Sequence, residues 1–150
     1  MKQTTEEKRT ESKIEVKTYL DKLKYAIQSN SARLSFLKNR KVDYGRDKKY
    51  TNRYTMSQLF PDEDEVEVLK RELLLLTIEE YIETVKDTRF PNRSEMRVFG
   101  KQYSGEDIYI KIRVELVSLE QASGGSFILV MSFHYSEWEH KDSDFPYKKV

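Results

Sequence analysis

The chain contains no cysteine, so disulfides and thiolate metal sites are both excluded. It has only two histidines, three prolines, five glycines and one tryptophan in 150 residues. No apolar run approaches the roughly 20 residues a membrane-crossing helix needs, so no membrane partner is expected. The opening residues Met1–Arg9 are polar and charged, unlike a secretory leader. A cytoplasmic location is therefore the default expectation. Charge of one sign is also missing: the formal net charge is +1. Bulk electrostatics gives no reason to expect nucleic acid, and any basic patch has to be local.

What is present is a chain with 37% apolar and 35% charged residues, suited to one compact domain with a highly charged surface. The expected division is a flexible start over 1–11, a single α+β domain over 12–135 and a C-terminal tail over 136–150. Ser12 and Glu15 have the spacing of a capping box. Val16, Tyr19, Leu20, Leu23 and Ile27 then form an apolar stripe at helical steps, predicting a helix over about 12–28. Leu34 and Phe36, with Val42, suggest a short strand or extended piece. Between Lys38 and Tyr54 lysine and arginine outnumber acids, and tyrosines are interleaved; this reads as a mobile basic loop. Pro61 with Asp62–Glu65 predicts a second helix to about Leu75, since acids favour a helix start. Thr77 and Glu80 predict a third, ending near Lys86.

The remainder reads as sheet: Glu95–Tyr103, then Asp107–Leu119 and Ser126–Tyr135, the last two as an antiparallel hairpin. Ile108, Ile110, Ile112, Val114 and Leu116 alternate with Tyr109, Lys111, Arg113 and Glu115. Matching this apolar face to Phe127, Leu129, Met131 and Phe133 requires an even-length loop, such as Gln121–Gly124. That register sets Lys111 opposite His134 and Arg113 opposite Ser132. With Met96 and Val98 taken as core, Arg97, Phe99 and Lys101 join the polar face. The expected architecture is thus helices packed on one face of a small antiparallel sheet. The other face is expected to be exposed and to carry Arg97, Lys101, Tyr109, Lys111, Arg113 and His134.

Cations beside a histidine and a tyrosine suit a phosphodiester. In metal-free RNA cleavage a base takes the 2′-OH proton, the oxygen attacks phosphorus, cations stabilise the phosphoryl charge, and an acid protonates the leaving 5′-oxygen. His134, Tyr109, Lys111 and Arg97 are the candidate catalytic residues. Arg113, Lys101, Phe99, Lys86, Arg46, Lys48 and Lys49 are the candidate RNA contacts, with Phe99 or Tyr109 able to stack a base. No metal and no cofactor is expected. The plain alternative is that alternating Lys, Arg and Glu simply solvate a sheet face.

The order Leu76-Thr77-x-x-Glu80-Tyr81, Val98-Phe99, Ile108-Tyr109-Ile110-Lys111-Ile112 and Ile128-Leu129-Val130-Met131-Ser132-Phe133 resembles the MqsR-type toxins, members of the RelE-like mRNA interferases. The resemblance covers about 60 residues, Leu76 to Tyr135. It implies a RelE-like fold and a toxin of a bacterial toxin–antitoxin system. Such a toxin cleaves mRNA without metal, often at the ribosome, and is held inactive by a cognate antitoxin protein. Through it the family's sheet tyrosine falls on Tyr109 and its terminal-strand lysine on His134. The family's helix lysine falls on Glu83 and its sheet glutamine on Met96, with Lys86 and Arg97 adjacent. Two other readings stay open: a non-catalytic RNA- or ribosome-binding module using the Lys38–Tyr54 stretch, and a protein-interaction regulator using the tail or a sheet edge.

Overall fold

A computed structural model describes residues 5–30, 32–39, 47–115 and 126–148. The order is β1 (Glu6–Arg9), α1 (Lys13–Gln28), β2 (Ala32–Phe36), α2 (Asn52–Leu59), α3 (Glu65–Leu73), β3 (Tyr81–Asp87), β4 (Met96–Tyr103), β5 (Glu106–Glu115) and β6 (Ser126–Tyr135). Among the described residues the class is α+β, with three α-helices and a six-stranded sheet in the order β1-β3-β4-β5-β6-β2. All neighbours are antiparallel except β2 and β6. Among the described residues no helix is long and apolar enough to cross a membrane.

The first helix forms as its sequence predicts. Ser12 Oγ accepts from the Glu15 amide while Glu15 accepts from the Ser12 amide, so two orphan donors are satisfied. Its buried stripe is Val16, Leu20, Leu23 and Ala26. The helix before Leu75 starts later than Pro61. Asp62 adopts φ 64°, which ends any helical run there, and Asp64 instead caps α3 through the Glu67 amide at 3.0 Å. Val68, Leu69 and Leu73 of α3 meet Val16, Leu20 and Leu23 of α1, and Met56 of α2, over Ile108, Ile110, Ile112, Ile128, Val130 and Phe133.

Two expected segments take another form. The Thr77–Glu80 capping box exists, but it closes a single 3₁₀ turn, Ile78–Glu80, and the chain then enters β3. Tyr81, Ile82, Thr84 and Val85 are aromatic or β-branched, types that favour a pleated surface, and β4 and β1 supply pairing on both sides. The start of the chain is likewise structured where described, since Glu6–Arg9 is the edge strand on β3. The basic stretch contains a 3₁₀ turn, Lys48–Tyr50, and the start of α2. Val42 and the proposed Gln121–Gly124 loop lie outside the described residues.

The β5–β6 register carries the main correction. Ile110 faces Phe133 and Lys111 faces Ser132, yet Ile112 faces Val130 and Val114 faces Ile128. Met131 is therefore an extra residue on β6, a β-bulge. The bulge lets Ile128 and Val130 point to the helices on one side of it and Phe133 on the other. An unbulged strand would have to expose one set, which the single-parity register did in assigning Leu129 and Met131 to the core. Lys111 consequently lies opposite Ser132 rather than His134, and Arg113 opposite Leu129 rather than Ser132.

Where β2 ends, α2 takes over the open edge of β6. Asn52 Nδ2 donates to Leu37 O at 2.8 Å and Met131 O at 3.0 Å, and its Oδ1 accepts from the Phe133 amide at 3.0 Å. Thr55 Oγ1 accepts from the Tyr135 amide at 2.9 Å. Both side chains are buried, so these bonds replace water along the bulged edge. Asn52→Ala strands a buried amide and two carbonyls, and is expected to cost about 2–3 kcal/mol. Urea unfolding of the variant against the parent protein checks this.

Candidate nucleic-acid interface

β5 sorts the candidate residues between two faces. Ile108, Ile110 and Ile112 face the helices, and their partners on β4 are Lys101, Phe99 and Arg97. Those three therefore lie on the helix side, contrary to the expected placement. Met96 and Val98 lie on the far side, in a second small cluster with Val85, against which Ile82, Tyr109 and Met131 pack. The reason is apolar demand on both faces: β4 and β3 each supply apolar side chains to the side away from the helices.

Each displaced residue has structural work. Phe99 is fully buried and meets Tyr81 edge-on, so it presents no ring to a base. Lys101 lies 3.5 Å from the Glu80 carboxylate. Arg97 Nε donates to Glu11 Oε1 at 2.7 Å, and its guanidinium lies 4.4 Å over the Tyr19 ring. Glu11 is only 3% exposed. Its carboxylate also accepts from Thr84 Oγ1, its amide donates to Tyr81 Oη, and its carbonyl accepts from Tyr147 Oη. Burial raises the Tyr19 phenol pKa, and its hydroxyl finds no partner. Removing one member of a buried ion pair strands the other charge, so Glu11→Ala is expected to cost about 3–5 kcal/mol. Urea unfolding measures this loss; the Tyr147 hydroxyl bonds the Glu11 backbone carbonyl, which the substitution keeps.

The far face keeps Tyr109, Lys111, Arg113 and His134 together. Tyr109 and Lys111 lie opposite His134 and Ser132 on β6. The Tyr109 and His134 rings stack at 5.4 Å between centroids with 23° between planes. His134 Nδ1 lies 2.8 Å from Tyr135 O. A carbonyl only accepts, so Nδ1 donates there, and the lone pair of the neutral ring resides on Nε2.

This face is not bare, as expected from alternation alone. Lys111, Arg113 and His134 are each only 7–8% exposed. Two additions from outside the hairpin explain the cover. β1 brings Glu6 to Lys111 Nζ at 2.8 Å. The chain after β6 folds back, setting Trp138 against Tyr109 at 5.5 Å and 66°. Arg113 Nε is buried without a hydrogen-bond partner.

Elsewhere, Lys86 Nζ donates to Pro91 O and Arg93 O, tying down the β3–β4 loop. Lys48 and Lys49 sit on the 3₁₀ turn, and Lys49 Nζ lies 5.6 Å over the Tyr135 ring, away from the His134 row. Arg46 is outside the described residues. Among the described residues, no group of three or more His, Asp or Glu side chains could hold a metal ion.

Glu6 and Asp107 carry no sequence signal that marks them, while Trp138 and His140, which the sequence offers only as anchors of the tail, hold the fold-back in place. Asp107 accepts from the His140 amide at 2.9 Å through Oδ2, and its carbonyl accepts from the Ser136 amide at 2.8 Å. Gly100 explains the path of this segment: a Cβ there would lie 2.9 Å from both His140 Nδ1 and Phe145 Cζ. His140 and Phe145 line a cleft of about 330 Å³ that also includes Lys101 and Asp107. Both His140 ring nitrogens are buried and unpartnered, with Nδ1 3.8 Å from Asp107 Oδ1.

Burial lowers the His140 pKa, against the weaker opposing pull of Asp107 and Asp144. The unfolded chain then binds this proton more readily than the folded one. The stabilising contribution is complete above the ordinary histidine value of about 6.5 and is lost as pH falls through the lower folded value. His140→Gln should therefore flatten the acid-side fall in stability, measured by urea unfolding from pH 7.5 to 5.

Comparisons with family models, with curated proteins and with solved structures give no match.

Proposed function

We propose that the protein is a metal-independent endoribonuclease acting on single-stranded mRNA through the far face of the sheet. In this reading it is a RelE-like, MqsR-type toxin restrained by a cognate antitoxin. The observation that carries the reading is the His134 geometry. Its Nδ1 donates to Tyr135 O, which makes Nε2 the ring nitrogen that acts as the base in this reading. Tyr109 stacks on the same ring and Lys111 is the next residue along that face of β5.

His134 Nε2 takes the 2′-OH proton, and the 2′-oxygen attacks phosphorus to form the cyclic phosphate. In this scheme the Arg113 guanidinium, two residues beyond Lys111 on β5, holds a non-bridging oxygen. The Lys111 ammonium stabilises the added charge and supplies a proton to the departing 5′-oxygen. Tyr109 fixes the orientation of the imidazole. Arg97 has no part in this scheme, because it is spent on Glu11. The helix-covered sheet supports the RelE-like reading at the level of fold class; β1 and the parallel β2 are additions to the region covered by the resemblance.

A second reading, RNA binding without cleavage, is favoured by the Glu6–Lys111 ion pair, which neutralises the cation nearest the proposed reaction. One assay separates the two. Purified protein incubated with RNA in EDTA should leave 2′,3′-cyclic phosphate ends, and His134→Ala should slow this by about 100-fold or more. Salt-sensitive binding with intact RNA selects the second reading. Undiminished cleavage by the variant removes His134 from the mechanism.

A further inference from the structure

Trp138 is the only tryptophan in the chain, and half of its surface is exposed although its surroundings are fixed. Its amide donates to Ser136 Oγ at 3.3 Å. The chain on either side is pinned to one residue: the Ser136 amide to Asp107 O, and the His140 amide to Asp107 Oδ2. The indole meets Tyr109 and His140 at 5.5 and 5.6 Å between centroids, both nearly edge-to-face. His140 is itself seated over Gly100, where no Cβ intrudes.

A large aromatic ring held rigidly yet left half open gains little for folding, because its exposed surface is not removed from water. It does suit a ligand with a flat π-face, since the ordering cost of the ring is already met before binding. The rings His134, Tyr109, Trp138 and His140 touch in succession, so the indole continues the row that starts at the proposed base. Lys111 and Arg113 follow Tyr109 on the same face of β5, at steps of about 6.6 Å. Cations in line with an open ring match the arrangement by which single-stranded nucleic acid is held, charge for the backbone and stacking for the base, and here a backbone phosphate has to displace Glu6 from Lys111.

We propose that Trp138 is a stacking platform for an unpaired nucleobase of single-stranded RNA, next to the phosphodiester that the His134–Lys111–Arg113 row engages. The ligand class rests on the RNA reading above, but stacking does not require cleavage. Asp107 is the positioning residue that holds the platform, and Trp138 is the contact residue.

The probe is a short single-stranded oligoribonucleotide with 2′-O-methyl riboses, which binds but cannot supply the attacking hydroxyl. Intrinsic fluorescence excited at the red edge of the indole band, where the ten tyrosines absorb little, reports on Trp138 alone. Saturable quenching is expected, weakening as salt rises, with far less quenching by a duplex of the same sequence. With end-labelled oligonucleotide, Trp138→Ala should weaken binding about tenfold or more, and Trp138→Phe by no more than about threefold. Asp107→Ala should lower the fluorescence anisotropy of Trp138 in the free protein. Binding with no change in Trp138 fluorescence, or unaltered affinity in Trp138→Ala, overturns the platform while leaving cleavage to be judged by its own assay. Quenching with no cleavage of unmodified RNA supports the platform and overturns the nuclease. No binding of either RNA overturns both.

Discussion

The inserted Met131 governs what each face of the sheet can be. With one extra residue, β6 sends Ile128, Val130 and Phe133 to the helices and keeps Ser132 and His134 on the other side. A bulge leaves its own backbone groups unpaired, and here the edge of β6 beyond β2 is open as well. Asn52 and Thr55 supply the missing partners. The end of the basic stretch thus opens a short helix whose polar side chains hold a strand edge in register. The position of His134 beside Tyr109 depends on that register, so chemistry on one face is tied to hydrogen bonds made at the edge.

The opposite margin of the sheet is organised by charge. Glu11 joins the turn between β1 and α1 to Thr84 of β3, Arg97 of β4 and Tyr147 near the end of the described chain. Its hydrogen bonds satisfy both carboxylate oxygens, as a buried anion demands. Arg9 adds a further cation, bonded through Nε and Nη2 to Glu95, whose pKa it holds below the usual carboxylate range. Arg97 belongs to this network. A cation within a polar-looking alternation can be committed to structure on the other side of the sheet, and only the register tells which.

Local signals were readable where they needed no distant partner. The Ser12–Glu15 box and the α1 stripe follow from sequence spacing. The hairpin of Tyr109 and His134 was also legible, since its apolar alternation is long. Failures came where tertiary partners decide. Thr77–Glu80 has the same chemistry at a 3₁₀ turn as at a helix start, and the pairing of Tyr81–Asp87 with β1 and β4 settles the outcome. A bulge has no residue signature at Met131. Asp107, Gly100 and Trp138 look unrelated in sequence; only the fold-back after Tyr135 brings them together. Arg97 and Arg113 are alike in composition and alternation, yet one neutralises Glu11 and the other keeps a buried donor without a protein acceptor.

The strand order also governs how the sheet assembles. β1 and β2, the first two strands in the chain, occupy its opposite outer edges. β1 has no partner until β3 exists, and β2 has none until β6 exists, although α1 links them directly. Their hydrogen bonds close long loops, and loop closure of that kind slows folding. The local β4–β5 hairpin is the natural centre of growth, with the margins added from both directions. The ribosome therefore releases two unpaired strands early, and the chain has to keep them from other partners until its last strand arrives.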